Sequence, residues 1–436
     1  MIERLFRLRE NNTDVKTEVV AGLATFMTMA YVIFVHPAIL ADAGMPFDAV
    51  LFATCVSAGI ASLVMGFLAN YPFALAPGMG LNAYFAYTAV PFIAGTLGVE
   101  QAWKVALGCV FISGCMFIVL TYSKIRVVII NAVPGAIKTG IAAGIGVFIA
   151  MMGLQKAGLI VMNEATMVTL GNVRSPDTLL AMSGLVLTAV LMTRRVKGAI
   201  LFGILITTAA AALMGYVDRP DRLFSFPEFR ATFFALDLKG ALQLGLLNVV
   251  FVFLFIDLFD TMGTLVGIGE RGGFMVDGKL PRANRALLAD STGTVVGSLL
   301  GTSTVTTYIE SAAGISEGGR TGLTACVTAV LFFLCIVISP IAAMVPAAAT
   351  APALIIVGSL MMTVVSKVRW DQPDEAIPAF LTLIAVPLTF SIANGIAIGF
   401  VSYPLIKLFS GKWKELNPVV CVLAVLFLLR FAFLSF

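Results

Sequence analysis

Charged residues are scarce in this sequence. Asp, Glu, Lys and Arg make up only 12% of its 436 residues, whereas hydrophobic residues make up 59%; soluble domains carry about 25% charged residues. No polar stretch is long enough to form a separate soluble domain, and apolar segments of membrane-spanning length recur from Thr17 onwards. The chain is therefore predicted to be an integral membrane protein with a single membrane domain.

Histidine and paired cysteines are almost absent. His36 is the single histidine, and the six cysteines form no Cys-X-X-Cys pair. These absences argue against a zinc-hydrolase site and against haem held by two histidines, and a lone histidine in an apolar helix is usually a packing residue. We also find no Ser/His pair and no Gly-rich phosphate loop. We therefore expect no metal site, no cofactor and no enzymatic activity.

The net charge of +4 could indicate a nucleic-acid partner, but its distribution favours another explanation. Lys and Arg concentrate in loops on one predicted side of the membrane, for example Arg194, Arg195 and Lys197. Such loops face the cytoplasm, so we predict a cytoplasmic N-terminus and no nucleic-acid partner. The first residues lack the order of a secretory signal, and we expect the first apolar helix to remain in the mature protein.

Fourteen membrane spans are predicted between residues 18 and 409, two of them short, and a further apolar run covers 418–436. The polar connection from Val217 to Lys239 divides these spans into two halves of seven. Because seven is odd, the second half enters the membrane from the opposite side, which makes an inverted repeat. Val133 and Val345 support the division, since each precedes a proline that opens an Ala/Gly-rich helix.

The third span of each half does not have the sequence of an ordinary helix. The first contains Pro77, Gly78 and Gly80, and the second contains the β-branched run from Thr304 to Thr307. Extended backbone at membrane depth survives only where it is buried or lines a cavity, so we predict two short strands that pair across the repeat. The helices after them would then start near the bilayer centre, at a transport site.

Carboxyl groups inside spans are costly to insert and usually functional. Four are predicted to lie at membrane depth: Asp257, Asp260, Asp290 and Glu310. Asp257 and Asp260 are three residues apart and so lie near one helix face; repulsion and desolvation favour protonation of at least one of them. For Asp290 a structural role is favoured, for Asp257 both roles stay open, and for Asp260 and Glu310 we favour function. Asn82, at the start of the first broken helix, completes a polar set suited to the edge of a flat heterocycle.

At these residues the sequence resembles the AzgA-like purine permeases of the nucleobase-ascorbate transporter fold. The resemblance covers nearly the whole chain, in five motifs: TEVVAGLATFMTMAYVIFVHPAIL, LAPGMGLNAYFAY, FDTMGTL, GTSTVTTYIESAAG and GGRTGLTA. It implies that Glu310 is the substrate-binding acid of the tenth span, that Asp260 is the corresponding acid of the eighth span, and that Asn82 lies on the third span. Thr264 stands where some uracil transporters carry a histidine, which fits a purine. With these we group Tyr308 and Ser311 as substrate-binding residues.

The resemblance also implies a division into core and gate domains. The core would comprise residues 1–125 and 243–345, and the gate would comprise residues 126–242 and 346–436. We expect a cell-membrane importer of purine bases (adenine or guanine/hypoxanthine) by proton symport and elevator movement, with a homodimer through the gate. The proton carriers would be Glu310, Asp260 or Asp257. The alternative is a transporter or channel for anions such as sulfate or bicarbonate on the same architecture, which two acids at the site disfavour.

Overall fold

The computed structural model describes residues 2–122, 133–217, 222–276 and 279–433, and helices dominate them. The predicted boundary between residues 125 and 126, part of the connection after Val217 and the last residues of the 418–436 run lie outside the described residues. In chain order the α-helices are α1 (Ile2–Phe6), α2 (Val15–Met29), α3 (Val32–Ala41), α4 (Phe47–Val64), α5 (Met79–Tyr84), α6 (Val90–Leu97), α7 (Ala102–Tyr122), α8 (Gly135–Lys156), α9 (Pro176–Thr193), α10 (Ala199–Leu213), α11 (Leu238–Ala241), α12 (Leu247–Arg271), α13 (Ala283–Leu300), α14 (Ser311–Ser316), α15 (Gly322–Leu334), α16 (Ser339–Ala343), α17 (Ala347–Met361), α18 (Pro373–Leu388), α19 (Ile392–Phe409) and α20 (Pro418–Phe433). Four strands lie between them: β1 (Leu75–Pro77), β2 (Ile160–Asn163), β3 (Met167–Leu170) and β4 (Val305–Thr307).

Several of these helical stretches have the length and composition of membrane spans. Within the described residues there are eight: Val15–Ala41, Phe47–Ala69, Ala102–Tyr122, Gly135–Lys156, Pro176–Thr193, Leu247–Arg271, Ala347–Lys367 and Ile392–Phe409. Shorter apolar helices add to them, such as α10. The chain is thus a mostly helical, multi-pass membrane protein, as the sequence predicted.

The backbone divides into two compact units. The first comprises Met1–Tyr122 and Lys156–Ala353, and the second comprises Ser123–Gln155 and Leu354–Phe436. In the first unit, α4 packs against α15 and α13, and α7 packs against α13 and α12. All four strands belong to this unit.

The two strands predicted in the interrupted spans are present and pair with each other. β1 and β4 are antiparallel, with Ala76 opposite Thr306. The amide of Gly78 donates to the carbonyl of Thr304 at 3.0 Å, and the amide of Tyr308 donates to the carbonyl of Ala74 at 3.0 Å, which lengthens the ladder at both ends. The strand residues are buried, so the pairing satisfies backbone groups that have no water to bind.

A hydroxyl group closes the outer edge of each strand. On β1, the amide of Leu75 donates to Ser62 Oγ at 2.9 Å, and that hydroxyl donates back to the Leu75 carbonyl at 3.2 Å. On β4, the amide of Val305 donates to Thr294 Oγ1 at 3.2 Å, and the threonine donates back to the Val305 carbonyl at 3.1 Å. Ser62 lies on α4 and Thr294 on α13. In each half of the chain, a helix hydroxyl therefore satisfies the backbone amide and carbonyl on the unpaired edge of the strand.

The first predicted span corresponds to the stretch Val15–Ala41, in which two helices, α2 and α3, are interrupted at Ala30 and Tyr31. One feature differs from the sequence-based expectations: a second sheet, the hairpin of β2 and β3, follows α8 and was not predicted. It is short and largely exposed, and its residues carry no buried face that would give a strand signal in the sequence.

The second unit is held together by close contacts of small residues. The helices α18 and α19 pack along their length, where a Cβ at Gly399 would lie 2.1 Å from Thr382 Oγ1 and one at Gly395 would lie 2.2 Å from Val386 Cγ2. On α8, Gly140 packs in the same way against the backbone of Ala379. Small residues let membrane helices approach closely and gain packing energy.

Candidate functional site

The candidate site lies in the first unit, around the point where β4 ends and α14 begins. Glu310 is the N-cap residue of α14 but makes no side-chain cap bond to it. Its Oε1 accepts a hydrogen bond of 2.9 Å from the hydroxyl of Tyr31, and its side chain is half-buried. Among the described residues, Tyr31 is the side chain that binds this carboxylate, which leaves acceptor capacity on its second oxygen for a ligand.

Tyr31 is a site residue that the sequence analysis missed. It lies at the interruption between α2 and α3 and is 1% exposed. On the preceding turn, Thr28 Oγ1 lies 3.4 Å from the backbone carbonyl oxygen of Glu310. The only sequence signal was the position of Tyr31 inside the motif TEVVAGLATFMTMAYVIFVHPAIL, because nothing in the composition marks which tyrosine faces an acid.

Tyr308 and Ser311 flank Glu310 and bond to the first interrupted span. The Tyr308 hydroxyl donates to the carbonyl of Pro77, and Ser311 Oγ accepts from the amide of Ala74 at 3.0 Å. Both side chains are buried. They tie the start of α14 to β1 and so fix the position of the carboxylate between them.

Asn82 is on α5, three residues after the start of that helix, and is fully buried. Its Nδ2 donates to the carbonyl of Pro77 at 3.3 Å, and its Oδ1 accepts from the hydroxyl of Ser303. Both ends of the amide are thus engaged within the protein, and Asn82 links α5 to the residues that precede β4.

The two acids three residues apart on α12 lie in different surroundings. Asp260 is half-buried, as is Thr264 one turn further on. Asp257 is fully buried, and its Oδ2 is 3.5 Å from Thr294 Oγ1, while its Oδ1 has no hydrogen-bond partner within the described residues. Of the two, Asp260 is therefore the one with a side chain accessible to a ligand.

Of the four acids predicted to lie at membrane depth, Asp290 has the most hydrogen-bond donors within the described residues. Its Oδ1 accepts from the amide and the hydroxyl of Thr307 at 2.9 and 3.3 Å, and its Oδ2 accepts from Thr261 Oγ1 at 3.0 Å. Each of the two helices thus supplies an acid that faces a threonine of the other: Asp290 of α13 faces Thr261 of α12, and Asp257 of α12 faces Thr294 of α13. Asp290 thus anchors β4 to both helices, in line with the structural role favoured for it.

Two other ionisable residues, Glu18 and His36, are buried and bind other parts of the protein. Glu18 is fully buried and accepts bonds from the amides of Arg320, Thr321 and Thr324, at 2.8 to 3.1 Å, at the start of α15. The sequence analysis missed this acid, although its position at the start of an apolar span was a signal.

His36 is buried, with Nε2 2.6 Å from Thr302 Oγ1. In the part of the chain that the structure describes, no three metal-binding side chains cluster.

Comparison with known proteins identifies the family. The sequence model of a permease family matches residues 16–398. The chain belongs to this permease family. The guanine/hypoxanthine permease PbuO of Bacillus subtilis is 45% identical over 98% of this permease and 99% of its own chain, and the adenine permease AdeP of Escherichia coli is 43% identical over 100% and 97%. The predicted membership of a purine permease family is confirmed, and the permease is a transporter rather than an enzyme.

The permease shares its fold with a bicarbonate transporter. The transmembrane domain of a cyanobacterial bicarbonate transporter, BicA, aligns with a TM-score of 0.67 at 15% identity, over 87% of the permease and 97% of that domain. At this identity the likeness shows the fold alone, because one fold hosts many functions.

Proposed function

We propose that this permease imports a purine base, adenine or guanine/hypoxanthine, together with a proton. The observation that carries the proposal is Glu310: a half-buried carboxylate held by Tyr31 at the break between a strand and a helix. Broken helices with ionisable residues are typical of transport sites. Relatives that are 43 to 45% identical carry the names of purine permeases, which supports this substrate class.

In this proposal the six predicted site residues have two kinds of role. Glu310, Asp260 and Thr264 contact the base, since their side chains are half-buried and Glu310 keeps a free acceptor. The other three, Asn82, Tyr308 and Ser311, hold β1, β4 and α14 in place through the bonds to Ser303, Pro77 and Ala74.

Proton coupling follows from the cost of moving a charge through an apolar environment. A loaded site with an ionised Glu310 and Asp260 would carry two negative charges past apolar side chains, at a cost of several kcal/mol. Protonation of Glu310 or Asp260 cancels part of that charge before the site moves. Asp257, when ionised, would add a third negative charge, which its own protonation cancels.

The movement we propose is an elevator-type displacement of a core domain, residues 1–125 and 243–345, against a gate domain, residues 126–242 and 346–436. Fourteen spans in a 7+7 inverted repeat underlie it. The matched hydroxyls of Ser62 and Thr294, each closing one strand edge, support the repeat. We further propose that the N-terminus faces the cytoplasm in the cell membrane and that two copies pair through the gate domain.

Anion transport on the same fold is the alternative that we do not favour. The likeness to a bicarbonate transporter is at 15% identity and concerns the fold. The two half-buried acids, Asp260 and Glu310, would repel an anion.

Uptake of a radiolabelled base tests the proposal. Cells that express wild type should accumulate labelled adenine or hypoxanthine, a protonophore should abolish the accumulation, and uracil should compete poorly. Glu310→Gln should abolish uptake, whereas the control Glu100→Gln, at an exposed position, should leave it intact. Wild-type uptake by Glu310→Gln would remove this carboxylate from the mechanism.

A further inference from the structure

The second unit contains a cavity of about 490 Å³ that shares no residue with the candidate site. The first turn of α8, the segment after α17 and the side chain of Tyr403 on α19 line it. Lys367 and Arg369 come from the segment after α17, and Glu375 and Glu415 add two carboxylates. A cavity of this size falls within the range of small-molecule sites, about 300 to 1,000 Å³.

The carboxylates around the cavity already have cationic partners. Lys407, whose side chain is only 2% exposed, lies 2.6 Å from both Asp374 and Glu415. Lys412 lies 3.0 Å from Asp374, which leaves this acid bound to two ammonium groups. The acids are thus neutralised within the protein and offer little attraction to a cationic ligand.

The two cations that line the cavity retain binding capacity. Arg369 uses one nitrogen to bind Glu375 at 2.8 Å, and a guanidinium has five N–H donors. Lys367 has no carboxylate partner within the described residues of this unit. The N-terminal turn of α8 adds N–H groups that have no partner within the helix. Asp371 also acts electrostatically on Arg369, so the preference of the cavity for an anion comes from Lys367 and the N–H groups of α8.

The surroundings indicate that this anion lies at the surface of the bilayer. Trp370, next to Arg369, is 47% exposed, and Trp413, next to Lys412, is 60% exposed. Tryptophan concentrates at the headgroup level of membranes. Lys367 is the last residue of the apolar stretch Ala347–Lys367, which has the length of a span, and Arg369 follows two residues later. An anion bound by Lys367 and Arg369 would therefore lie at the end of a stretch that has the length of a membrane span.

We propose that this cavity binds the phosphate of an anionic phospholipid headgroup, held by Lys367 and Arg369. Basic side chains at the ends of membrane helices attract anionic lipids. Bound lipid would join the segment after α17 to the start of α8 and so stabilise the second unit. The inference does not depend on which substrate the permease carries.

Lipid-dependent stability of the purified full-length protein tests the proposal. Added phosphatidylglycerol should raise the Tm in detergent above that with phosphatidylcholine, and native mass spectrometry should detect bound phosphatidylglycerol. Lys367→Gln should weaken this binding about tenfold, and Lys367→Arg should retain it. The matched control is Lys16→Gln, which removes an exposed lysine of the first unit and should respond like wild type.

Two outcomes would overturn the proposal. One is an equal response of Lys367→Gln and wild type to phosphatidylglycerol. The other is stabilisation of wild type by inorganic phosphate or a nucleoside monophosphate with no response to phosphatidylglycerol, which would assign the cavity to a soluble phosphate compound. The exposed position of Lys367 means that Lys367→Gln should fold normally.

Discussion

The hydroxyl of Tyr31 donates a hydrogen bond of 2.9 Å to Oε1 of Glu310, a residue 279 positions further along the chain. This bond joins the interruption between α2 and α3 to the start of α14. Because Glu310 makes no cap bond to its own helix, Tyr31 is the side chain that orients it. The proposed substrate site is therefore formed by the two spans together.

Tyr31→Phe should raise the KM for purine uptake about tenfold, with a smaller effect on the maximal rate. The loss of one hydrogen bond to a charged group costs ~1.5 kcal/mol or more, and 1.4 kcal/mol is tenfold. Uptake kinetics at equal expression measure it, with Tyr122→Phe, at a position that is 77% exposed, as the control. An unchanged KM would show that Tyr31 does not position Glu310.

Asp290→Ala should lower the free energy of unfolding by about 3 kcal/mol. The change removes the acceptor of Thr307 and Thr261, and buried donors without partners are expensive. Thermal unfolding in detergent should show a clearly lower Tm than for the control Asp371→Ala, at an exposed position. Equal values for the two variants would contradict the anchoring role of Asp290.

Gly399→Ala should destabilise the second unit by about 1–3 kcal/mol, as overpacking does. The new Cβ would lie 2.1 Å from Thr382 Oγ1. Thr382→Ala in the same chain should restore most of the lost stability by removing that atom. The control is Gly95→Ala, because no atom lies within 4 Å of its new Cβ. A double variant as unstable as Gly399→Ala would disprove this packing argument.

The charge network of the second unit should lose stability in acid. Hydrogen bonds from Lys407 and Lys412 lower the pKa of Asp374 to about 2, below its ordinary value. The folded protein thus binds the Asp374 proton less tightly than the unfolded chain, and stability falls as the pH drops from about 4 towards 2. Tm measured against pH should fall more steeply in wild type than in Asp374→Asn. Identical slopes would exclude this contribution.

The interrupted spans could be predicted from sequence because their signals are local. Prolines and glycines from Pro77 to Gly80 and the β-branched run from Thr304 to Thr307 both disfavour a helix, and the structure pairs them as β1 and β4. Backbone N–H and C=O groups inside the membrane need partners within the protein, so two extended segments at that depth are expected to pair with each other.

The contacts of Tyr31 and the different surroundings of Asp257 and Asp260 could not be predicted in this way. The Tyr31 bond joins residues 279 positions apart, and no local pattern specifies such a partner. The burial of Asp257 depends on how α12 is rotated against α13, where Thr294 lies beside it. Sequence spacing places both acids near one face but does not fix that rotation.

The central claim is that Glu310 binds the transported base, and equilibrium binding of a labelled purine to the purified permease tests it most directly. Wild type should bind labelled adenine or hypoxanthine saturably, and Glu310→Gln should bind it at least tenfold more weakly while keeping its Tm. Binding by Glu310→Gln with the affinity of wild type would contradict the account.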